Sequence, residues 1–348
     1  MKIAHYDTTN SAPLIIAEMS GNHNQSLERA LQIVDAAAKA GAHAIKLQTY
    51  TADTITLDSR EQGFVIDDTD SLWNGRNLYD LYREAHTPWE WHAPIMKRAA
   101  ELGLICFSSP FDETAVDFLE SLDVPAYKIA SFENIHIPLI RKVAATKKPI
   151  IMSTGMASLA ELEAAVRAAR EYGCSDLTLL KCTSTYPATP ANSNLRTIPH
   201  LRSLFGCSVG LSDHTMGTGV SVAAVALGAE VIEKHFTLCR ADGGVDSAFS
   251  LEPDELKMLV TETERAWQSL GKIQYGPTTS ELRSMVFRRS LYIAQDLQAG
   301  DILSTVNLRC VRPGFGLKPE HFDQVIGKRV IKNLTCGTPL KWEHLLAE

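Results

Sequence analysis

Acidic, basic and imidazole side chains stand where two apolar stretches of this chain end. VIEKHFT, residues 231–237, begins like a buried strand and then carries Glu233, Lys234 and His235; a second stretch, SVGLSD, is followed directly by His214. Neighbouring parallel strands lie about 4.8 Å apart, so two imidazoles at their ends can share one divalent ion. Two histidine ligands leave most positions of an octahedral ion open, which favours a catalytic Mn²⁺-like or Mg²⁺-like ion over structural zinc.

The alternative for this histidine pair is that both rings only cap strand ends through hydrogen bonds. Three further polar residues at or near predicted strand ends favour the metal site. They are Glu18, His23 and Glu233.

Lysines and hydroxyls stand at the ends of other apolar stretches. They are Lys46, Lys128, Ser109, Ser131, Ser153 and Ser212. Such point charges and directional donors suit phosphate and carboxylate oxygens, although a strand-end lysine or serine can also be a simple solvated residue. A phosphate-bearing anion beside a metal that polarises a carbonyl indicates carbon–carbon bond formation with a phosphoenol nucleophile. The alternative role for Lys128 is that of a Schiff-base nucleophile in a barrel aldolase.

Short apolar runs alternate with longer segments of helical periodicity, which is the pattern of repeated βα units and a parallel sheet. Eight runs predict strands, over residues 14–19, 44–49, 104–109, 126–131, 149–154, 177–183, 208–213 and 231–237. Helices are predicted over 27–41, 88–103, 158–173 and 254–271. Eight such units predict a (β/α)₈ TIM barrel, an α/β fold whose active site lies at the C-terminal ends of the strands. A doubly wound sheet fits less well because no G-x-G-x-x-G follows the first run.

An insertion and a smaller domain extend the predicted barrel. Residues 50–87, after the second strand, are too short to bury their own core and predict a substrate-covering loop on the catalytic face. We predict a barrel domain over residues 1–272, a polar linker over 273–285 and a small domain of short β-like pieces and turns over 286–348.

Composition and charge exclude several classes of protein. The 348 residues include 34 Lys and Arg against 41 Asp and Glu, a formal charge of −7, and no basic cluster of the kind that binds nucleic acid. No basic leader with an apolar run and no stretch of about 18 apolar residues stands out, so we expect a cytoplasmic location. The seven scattered cysteines lack a C-x-x-C pair and predict reduced thiols, with a nucleophilic role for Cys182 as a minor alternative.

Six segments of the chain resemble the sialic acid synthase family. In order they are IAEMSGNHNQSLERA, AIKLQTYTADTITLD, AYKIAS, PIIMSTGM, GLSDHT and VIEKHFT, and the similarity extends over nearly the whole chain. Residues 286–345 resemble the C-terminal SAF domain of that family, also called antifreeze-like. The resemblance implies a metal-dependent transferase that condenses phosphoenolpyruvate with an amino sugar and releases phosphate by carbon–oxygen cleavage.

Carried over position by position, the resemblance also implies roles for individual residues. It implies that phosphoenolpyruvate is bound or oriented by Glu18, Lys46, Ser109, Lys128, Ser131, Ser153 and Ser212, and that the divalent metal is held by His214 and His235. The catalytic set would be Glu18, Lys128, His214 and His235. The sugar pocket would be lined by Glu133, Ser184, Tyr186, Asp246 and Phe287. Arg312 would reach that pocket from the SAF domain of a second copy, which implies a domain-swapped homodimer.

Two segments, SLWNGRNLYDLYREAHTPWEW and GGVDSAFSLEP, are most like the family members that use 2,4-diacetamido-2,4,6-trideoxy-altrose as the acceptor sugar. Ser184 supports this branch because N-acetylneuraminate synthases usually carry Asn there. The nearest alternatives are N-acetylneuraminate and legionaminate synthases, and a more remote one is a Schiff-base aldolase or lyase that uses Lys128. An ice-binding or scaffold role for the small domain fits least, because four arginines make it too charged for a flat ice-binding face: Arg288, Arg289, Arg309 and Arg312.

Overall fold

A closed barrel of eight parallel strands forms the larger part of residues 1–9 and 11–346, which are the residues that the computed structural model describes. The strands are β1 (Leu14–Glu18), β2 (Ala44–Thr49), β3 (Ile105–Pro110), β4 (Tyr127–Ile129), β5 (Ile150–Ser153), β6 (Leu177–Cys182), β7 (Ser208–Ser212) and β8 (Val231–His235). Each strand pairs with the next one in sequence, and β8 pairs with β1, so that His235 stands beside Glu18. The predicted (β/α)₈ barrel is confirmed, and each strand end lies within two residues of its predicted position.

Helices cover the outside of this barrel. They are Leu27–Ala40, His92–Glu101, Glu113–Ser121, Ile137–Ala145, Leu159–Glu171, Thr197–Phe205, Gly219–Ala226 and Pro253–Leu270. Short 3₁₀ turns lie between the main elements and span Gln62–Phe64, Trp89–Trp91, Glu133–Ile135, Pro190–Asn192, Arg240–Asp242 and Ser247–Phe249. Local signals set their ends: Ser158 and Glu161 form a reciprocal capping box, and Gly41, with φ of 89°, ends the first helix in the left-handed conformation that glycine tolerates. The helix predicted over 88–103 begins later than expected, at His92, after a 3₁₀ turn.

Alternate strand residues fill the barrel interior in layers. The lower layers are apolar and buried, and consist of Leu14, Ile16, Ala44, Ile105, Phe107, Ala126, Ile151, Leu180 and Val231. Met1 and Ile3 pack against them from below, with Ile3 in a small antiparallel ribbon of Lys2–Ile3 and Tyr6–Asp7. At the C-terminal end of the same strands the inward positions become polar, with Glu18, Lys46, Ser109, Lys128, Ser153, Cys182, Ser212 and Glu233. The strand period of two therefore brings the predicted site residues to one end of the barrel.

The insertion at residues 50–87 folds around a buried asparagine, Asn77. Its side-chain amide donates to the carbonyl oxygens of Ser59 and Phe64, at 2.7 and 3.1 Å, and its carbonyl oxygen caps the start of the helix Leu78–Ala85. A second short helix, Ala52–Ile55, packs against that one. The segment thus contains helices and fixed turns where the sequence predicts a loop. The reason is that the side-chain amide of Asn77 bonds to backbone groups in three turns of the segment.

Residues Lys272–Glu348 form a second compact unit, and Met1–Gly271 form the first. In the second unit β9 (Ser290–Ile293) pairs with β10 (Leu308–Val311) in antiparallel register. Its other elements are the 3₁₀ turns Glu281–Phe287, Pro319–His321 and Trp342–His344 and the short helix Phe322–Val325. Its core consists of Leu291, Ile293, Leu297, Leu303, Leu308, Val325, Val330, Leu334, Leu340 and Leu345. The limits proposed above for the domains and the linker stay a prediction.

None of the described helices combines the length and the apolar character that crossing a bilayer requires.

Candidate active site

Two buried lysines lie at the polar end of the barrel interior, each beside a hydroxyl. The Nζ atom of Lys46 lies 2.5 Å from Oε2 of Glu18 and donates to Oγ of Ser109 at 3.2 Å. Lys128 donates to Oγ of Ser153 at 2.7 Å. Only 3% of Lys46 and 2% of Lys128 is exposed. Both ammonium groups are therefore held in position by strand residues, away from bulk water, with serine hydroxyls as their neighbours.

Glu233 lies between the two lysines. Its carboxylate oxygens are 3.6 Å from Nζ of Lys128 and 3.9 Å from Nζ of Lys46, and Ser212 donates to Oε1 at 3.1 Å. From the sequence, Glu233 is expected only beside the histidines and not in the site around the lysines. The strand period of two could have identified Glu233 as a site residue, because Glu233 and His235 face the same side of β8 and Lys234 faces the other.

The charges of this cluster balance one another. Burial raises the pKa of Glu18 to about 7, while Lys46 opposes that shift and Glu233 adds to it. Burial lowers the pKa of Lys128 against the attraction of Glu233. For Lys46 burial also disfavours the charged form, but Glu18 and Glu233 outweigh it, and the pKa is raised. Two carboxylates thus hold two ammonium groups ready for an anion in an environment where each charge is poorly solvated.

The two predicted histidines are neighbours, as the sequence indicates. The ring centroids of His214 and His235 lie 5.3 Å apart. Nδ1 of His214 donates to the carbonyl oxygen of Thr183 at 2.9 Å when the ring carries its proton there, which leaves Nε2 as a lone-pair donor. Nδ1 of His235 is buried, has no hydrogen-bond partner among the described residues, and lies 3.7 Å from Oδ2 of Asp246.

These two rings fit a divalent metal. Burial, and then His214 and nearby lysines, lower the pKa of His235 well below its usual value, so this ring is neutral and its nitrogen lone pair is available. The carbonyl of Thr183 orients the other ring in the way that metal-bound histidines are commonly held. Within residues 1–9 and 11–346, three or more His, Cys, Asp or Glu side chains do not come together as a ready-made metal cluster.

His23 does not join this site, which corrects an expectation from the sequence. Its Nδ1 accepts from the backbone N–H of Gln25 at 3.2 Å, and its Nε2 lies 3.2 Å from the hydroxyl of Thr87. The ring also packs edge-on against Trp91. Both ring nitrogens are occupied in holding the loop after β1, so neither is left for a metal.

A cavity of about 480 Å³ opens at this end of the barrel. Of the residues predicted for the sugar pocket, Glu133, Tyr186 and Asp246 line it, together with His235 and the predicted phosphoenolpyruvate residue Ser131. Ser184 is next to it, because its hydroxyl donates to Oγ of Ser131 at 2.9 Å. Asp246 accepts a short hydrogen bond from Ser20.

Two aromatic rings that the sequence pattern does not predict, Trp73 and Phe249, also lie at or beside this cavity. Tyr186 lies with its ring centroid 4.5 Å from that of His214 and 5.2 Å from that of Phe249, which in turn is 4.9 Å from His235. Trp73 and Gln48 line the cavity as well. Phe249 lies in a 3₁₀ turn and Trp73 in the insertion, so neither carries the strand-end signal that identifies the other site residues.

Phe287 and Arg312 belong to the second unit, where Phe287 is 63% exposed and Arg312 directly follows β10. Their predicted approach to the sugar pocket stays a prediction.

Lys234 points away from the cavity, contrary to its grouping with Glu233 and His235 at the strand end. Its Nζ lies 3.1 Å from Oδ2 of Asp213, with both side chains 1% exposed, and also donates to the carbonyl oxygen of Thr215. Ser221 and Thr215 donate to the same carboxylate. This fully bonded ion pair joins the ends of β7 and β8 immediately beside the two histidines.

We expect Asp213→Asn to lower the free energy of unfolding by about 3–5 kcal/mol, because it leaves the buried Lys234 without its counter-charge. Urea unfolding followed by circular dichroism measures the effect. Asp117→Asn is the matched control: its partner Lys142 lies 2.6 Å away on the surface, where losing such a pair costs at most about 1 kcal/mol. Equal midpoints for the two variants would contradict the expectation.

Glu133 makes stability depend on pH. Burial raises the pKa of this carboxyl to about 7 from an ordinary 4.5, and its buried Oε2 has no hydrogen-bond partner among the described residues. Between these two values the folded chain binds more protons than the unfolded chain, so this group makes unfolding easier as pH rises from 4.5 to 7.

We expect Glu133→Gln to match the wild type near pH 4 and to exceed it near pH 8 by about 2 kcal/mol, allowing for the partial exposure of the side chain. Urea midpoints of both proteins across this pH range test the prediction. The titration of Glu18 also lowers the free energy of unfolding as pH rises. It does so equally in both proteins and therefore cancels in the difference between them. A difference that stays constant with pH would show that Glu133 titrates normally.

The chain is similar to proteins of known family. Residues 33–275 match the NeuB family and residues 288–346 match the SAF domain. The chain is 45% identical to the pseudaminic acid synthase of Campylobacter jejuni over 98% of each chain, and 38% identical to the N,N'-diacetyllegionaminic acid synthase of Legionella pneumophila over 96% of this chain and 94% of that one. The crystal structure of N-acetylneuraminic acid synthetase from Leptospira borgpetersenii is similar with a TM-score of 0.71 and 34% identity, over 79% of this chain and 91% of that one. The chain therefore belongs to the NeuB, or sialic acid synthase, family.

Proposed function

We propose that this enzyme condenses phosphoenolpyruvate with 2,4-diacetamido-2,4,6-trideoxy-altrose to give pseudaminic acid and phosphate. The pseudaminic acid synthases of Campylobacter jejuni and Helicobacter pylori, at 45% and 43% identity, match nearly the whole chain. The legionaminic acid synthase of Legionella pneumophila matches at 38% and the N-acetylneuraminate-9-phosphate synthase of Drosophila melanogaster at 30%. The order of these identities favours the altrose sugar over the acceptors of the other two enzymes.

The observation that carries the proposal is the pair of buried lysines with their serine hydroxyls. Phosphoenolpyruvate combines a phosphate and a carboxylate within a few ångströms, and such an anion requires closely spaced cations and directional donors. Lys46 and Lys128, with Ser109 and Ser153, supply both kinds of group in a space closed from bulk water. Ser131 and Ser212 complete the proposed set, and Glu18 is its acid–base group.

We propose His214 and His235 as the ligands of a divalent metal, Mn²⁺ in the first place and Mg²⁺ or Co²⁺ as alternatives. Such an ion, when bound, supplies Lewis-acid polarisation of the sugar aldehyde. Burial keeps the ring of His235 neutral, and the carbonyl of Thr183 orients the ring of His214. Burial lowers the pKa of His214, but Cys182 and the Thr183 carbonyl outweigh it and raise that pKa, so a metal competes with a proton at this ring.

The residues of the chain accomplish the remaining steps. Lys46, Lys128 and the serines hold phosphoenolpyruvate so that its carbon 3 forms a bond to the aldehyde carbon, while positive charge develops at carbon 2. The electron pair of the aldehyde C=O π bond passes to its oxygen, which takes up a proton and becomes a hydroxyl group. Water adds to carbon 2, and Glu18, whose pKa of about 7 suits proton transfer near neutrality, takes a proton from it. The remaining hydroxyl group on carbon 2 then gives up its proton and becomes the keto oxygen, while the bond between carbon 2 and the phosphate oxygen breaks and phosphate leaves with the bonding electrons and that proton.

For the sugar, we propose contacts with Glu133, Ser184, Tyr186 and Asp246 from the barrel and with Phe287 and Arg312 from the SAF domain of a second copy. This arrangement requires a domain-swapped homodimer. A mixture of Lys128→Met and Arg312→Ala proteins tests it, since reassorted dimers would recover one intact site. Light scattering of the wild type should give twice the monomer mass, and a monomeric active enzyme would contradict the proposal.

We also propose that the reaction takes place in the cytoplasm. All seven cysteines lie in the described residues and each is free, which suits a reducing compartment.

The deciding experiment is phosphate release from phosphoenolpyruvate with three acceptors in parallel. They are the 2,4-diacetamido altrose sugar, the legionaminic acid precursor 2,4-diacetamido-2,4,6-trideoxymannose, and N-acetylmannosamine. We expect turnover with the altrose sugar to exceed the others by at least about 10²-fold, because a site built to hydrogen-bond one arrangement of polar groups leaves its own groups unpaired with another arrangement. Preference for either other sugar would assign the chain to that branch. No release with any of the three would contradict the proposed reaction.

A further inference from the structure

One side of the cavity is built from apolar side chains of the insertion. This apolar wall consists of Ile55, Ile66, Trp73, Leu78 and Leu81. The one polar side-chain atom in the wall, Nε1 of Trp73, donates to the carbonyl oxygen of Val245 at 2.9 Å. The wall therefore offers a ligand no side-chain donor or acceptor that is not already used.

Polar side chains also line the same cavity and come mainly from the barrel and its loops. They include Ser20, Gln48, Ser131, Glu133 and Asp246. A cavity that combines hydrogen-bonding groups with an apolar wall suits a ligand that has both polar and apolar parts.

The apolar wall is held at a defined place. Gly75 donates its backbone N–H to Ile66 at 2.7 Å, Ile66 donates to Arg76 at 2.9 Å, and Asn77 ties this turn to the start of the helix that carries Leu78 and Leu81. On the other side, Trp73 reaches Val245 in the segment after β8. A fixed wall of this kind discriminates by shape and polarity more sharply than a mobile loop does.

The direction from the reacting groups to the wall follows from a row of aromatic rings. The ring of Tyr186 lies 4.5 Å from that of His214, and the ring of Trp73 lies 5.7 Å from that of Tyr186. This row joins the histidines to Trp73 of the apolar wall, so a sugar placed with its aldehyde carbon at the histidines and its chain along Tyr186 would bring carbon 6 to that wall.

We propose that the apolar wall selects acceptor sugars that carry a methyl group, not a hydroxymethyl group, at carbon 6. This inference rests on the proposed function and specifies its substrate class. A 6-hydroxyl group would lose its water at the wall without gaining a partner, which weakens the binding of a sugar that carries it. The discrimination is limited to about 10- to 100-fold, because an apolar surface rejects an added hydroxyl only weakly.

The test compares 2,4-diacetamido-2,4,6-trideoxy-altrose with its 6-hydroxy counterpart on the full-length enzyme. We expect kcat/KM to favour the 6-deoxy sugar by about 10- to 100-fold. Ile66→Thr, which keeps the branched Cβ and adds a hydroxyl, should reduce that preference at least about threefold. Leu57→Asn is the matched control, since Leu57 belongs to the insertion but is 66% exposed and does not line the cavity.

Tyr82→Phe distinguishes the effect of the apolar wall from that of a tyrosine hydroxyl, because Tyr82 lines the same cavity from the insertion. We expect it to keep the wild-type preference. Equal kcat/KM for the two sugars, an unchanged preference in Ile66→Thr, or a preference lost in Tyr82→Phe would each overturn the proposal.

Binding measurements keep the test independent of turnover. The C1-reduced alditols of both sugars cannot react, and calorimetric titration of each in the presence of phosphoenolpyruvate should show tighter binding of the 6-deoxy alditol. Equal affinities would overturn the role of the apolar wall. Turnover with both sugars at equal rates would leave the proposed reaction intact and remove only this inference, whereas no phosphate release with either sugar would remove the reaction itself.

Discussion

Replacing Lys128 by methionine is expected to lower kcat/KM for phosphoenolpyruvate by about 10²- to 10³-fold, because removing one partner of a buried, hydrogen-bonded charge pair costs several kcal/mol of binding. Lys128 is 2% exposed and bonded to Ser153, so water cannot readily replace its ammonium group. Phosphate release at several phosphoenolpyruvate concentrations measures the loss. Most of it should appear in KM, because the ammonium group binds the anion before and during the reaction.

Lys142→Met provides the control, since Lys142 pairs with Asp117 on the outer surface and should keep full activity. The same variants also test the aldolase alternative. A Schiff-base enzyme would be modified at Lys128 by borohydride in the presence of pyruvate, and the Lys128→Met protein would escape modification. Trapping of the wild type in this way would contradict the role of Lys128 as an anion-binding group.

Removal of divalent metal by a chelator is expected to reduce turnover to background, and added Mn²⁺ should restore it. Lewis-acid polarisation contributes several kcal/mol to such a step, so the loss should be at least about 10³-fold. His214→Ala and His235→Ala should each prevent the recovery, because each removes one of the two ring nitrogens available to the ion. Electron paramagnetic resonance of added Mn²⁺ measures binding separately from activity and should show weaker binding in both variants.

His200→Ala is the control for this experiment, since His200 is exposed on the helix Thr197–Phe205 and should leave Mn²⁺ binding unchanged. Turnover that survives exhaustive chelation would contradict the metal site and return attention to Lys128. Recovery of activity in His214→Ala with Mn²⁺ would show that the ion can bind without His214, with His235 and groups outside the protein as its ligands.

The polar strand ends were sufficient to predict much of the candidate site, for a physical reason. In a parallel barrel all C-terminal strand ends meet at one end, and alternate residues face the interior. Lys46, Lys128 and His235 could thus be assigned to one place from the sequence, and the structure places them there. Position at a strand end alone is not enough, as Lys234 shows. It lies at the end of β8, but it faces the opposite side of the strand from Glu233 and His235 and pairs with Asp213.

Residues outside the strands could not be predicted in this way. Trp73 and Phe249 lie in segments with no repeating pattern, and their positions depend on hydrogen bonds and packing with residues distant in sequence. His23 illustrates the opposite error: its distance from the first strand is compatible with a ligand, but local bonds to Gln25 and Thr87 take both ring nitrogens.

The sequence by itself determined the barrel, the end of it that carries the chemistry, and the kind of chemistry, because hydrophobic period and strand-end residue type are local properties that the fold preserves. Only the tertiary structure decided that Glu233 is shared by two lysines and that the insertion presents an apolar wall to the cavity. Both features depend on side chains from segments far apart in the chain, and distances across a barrel are not encoded in spacing along it.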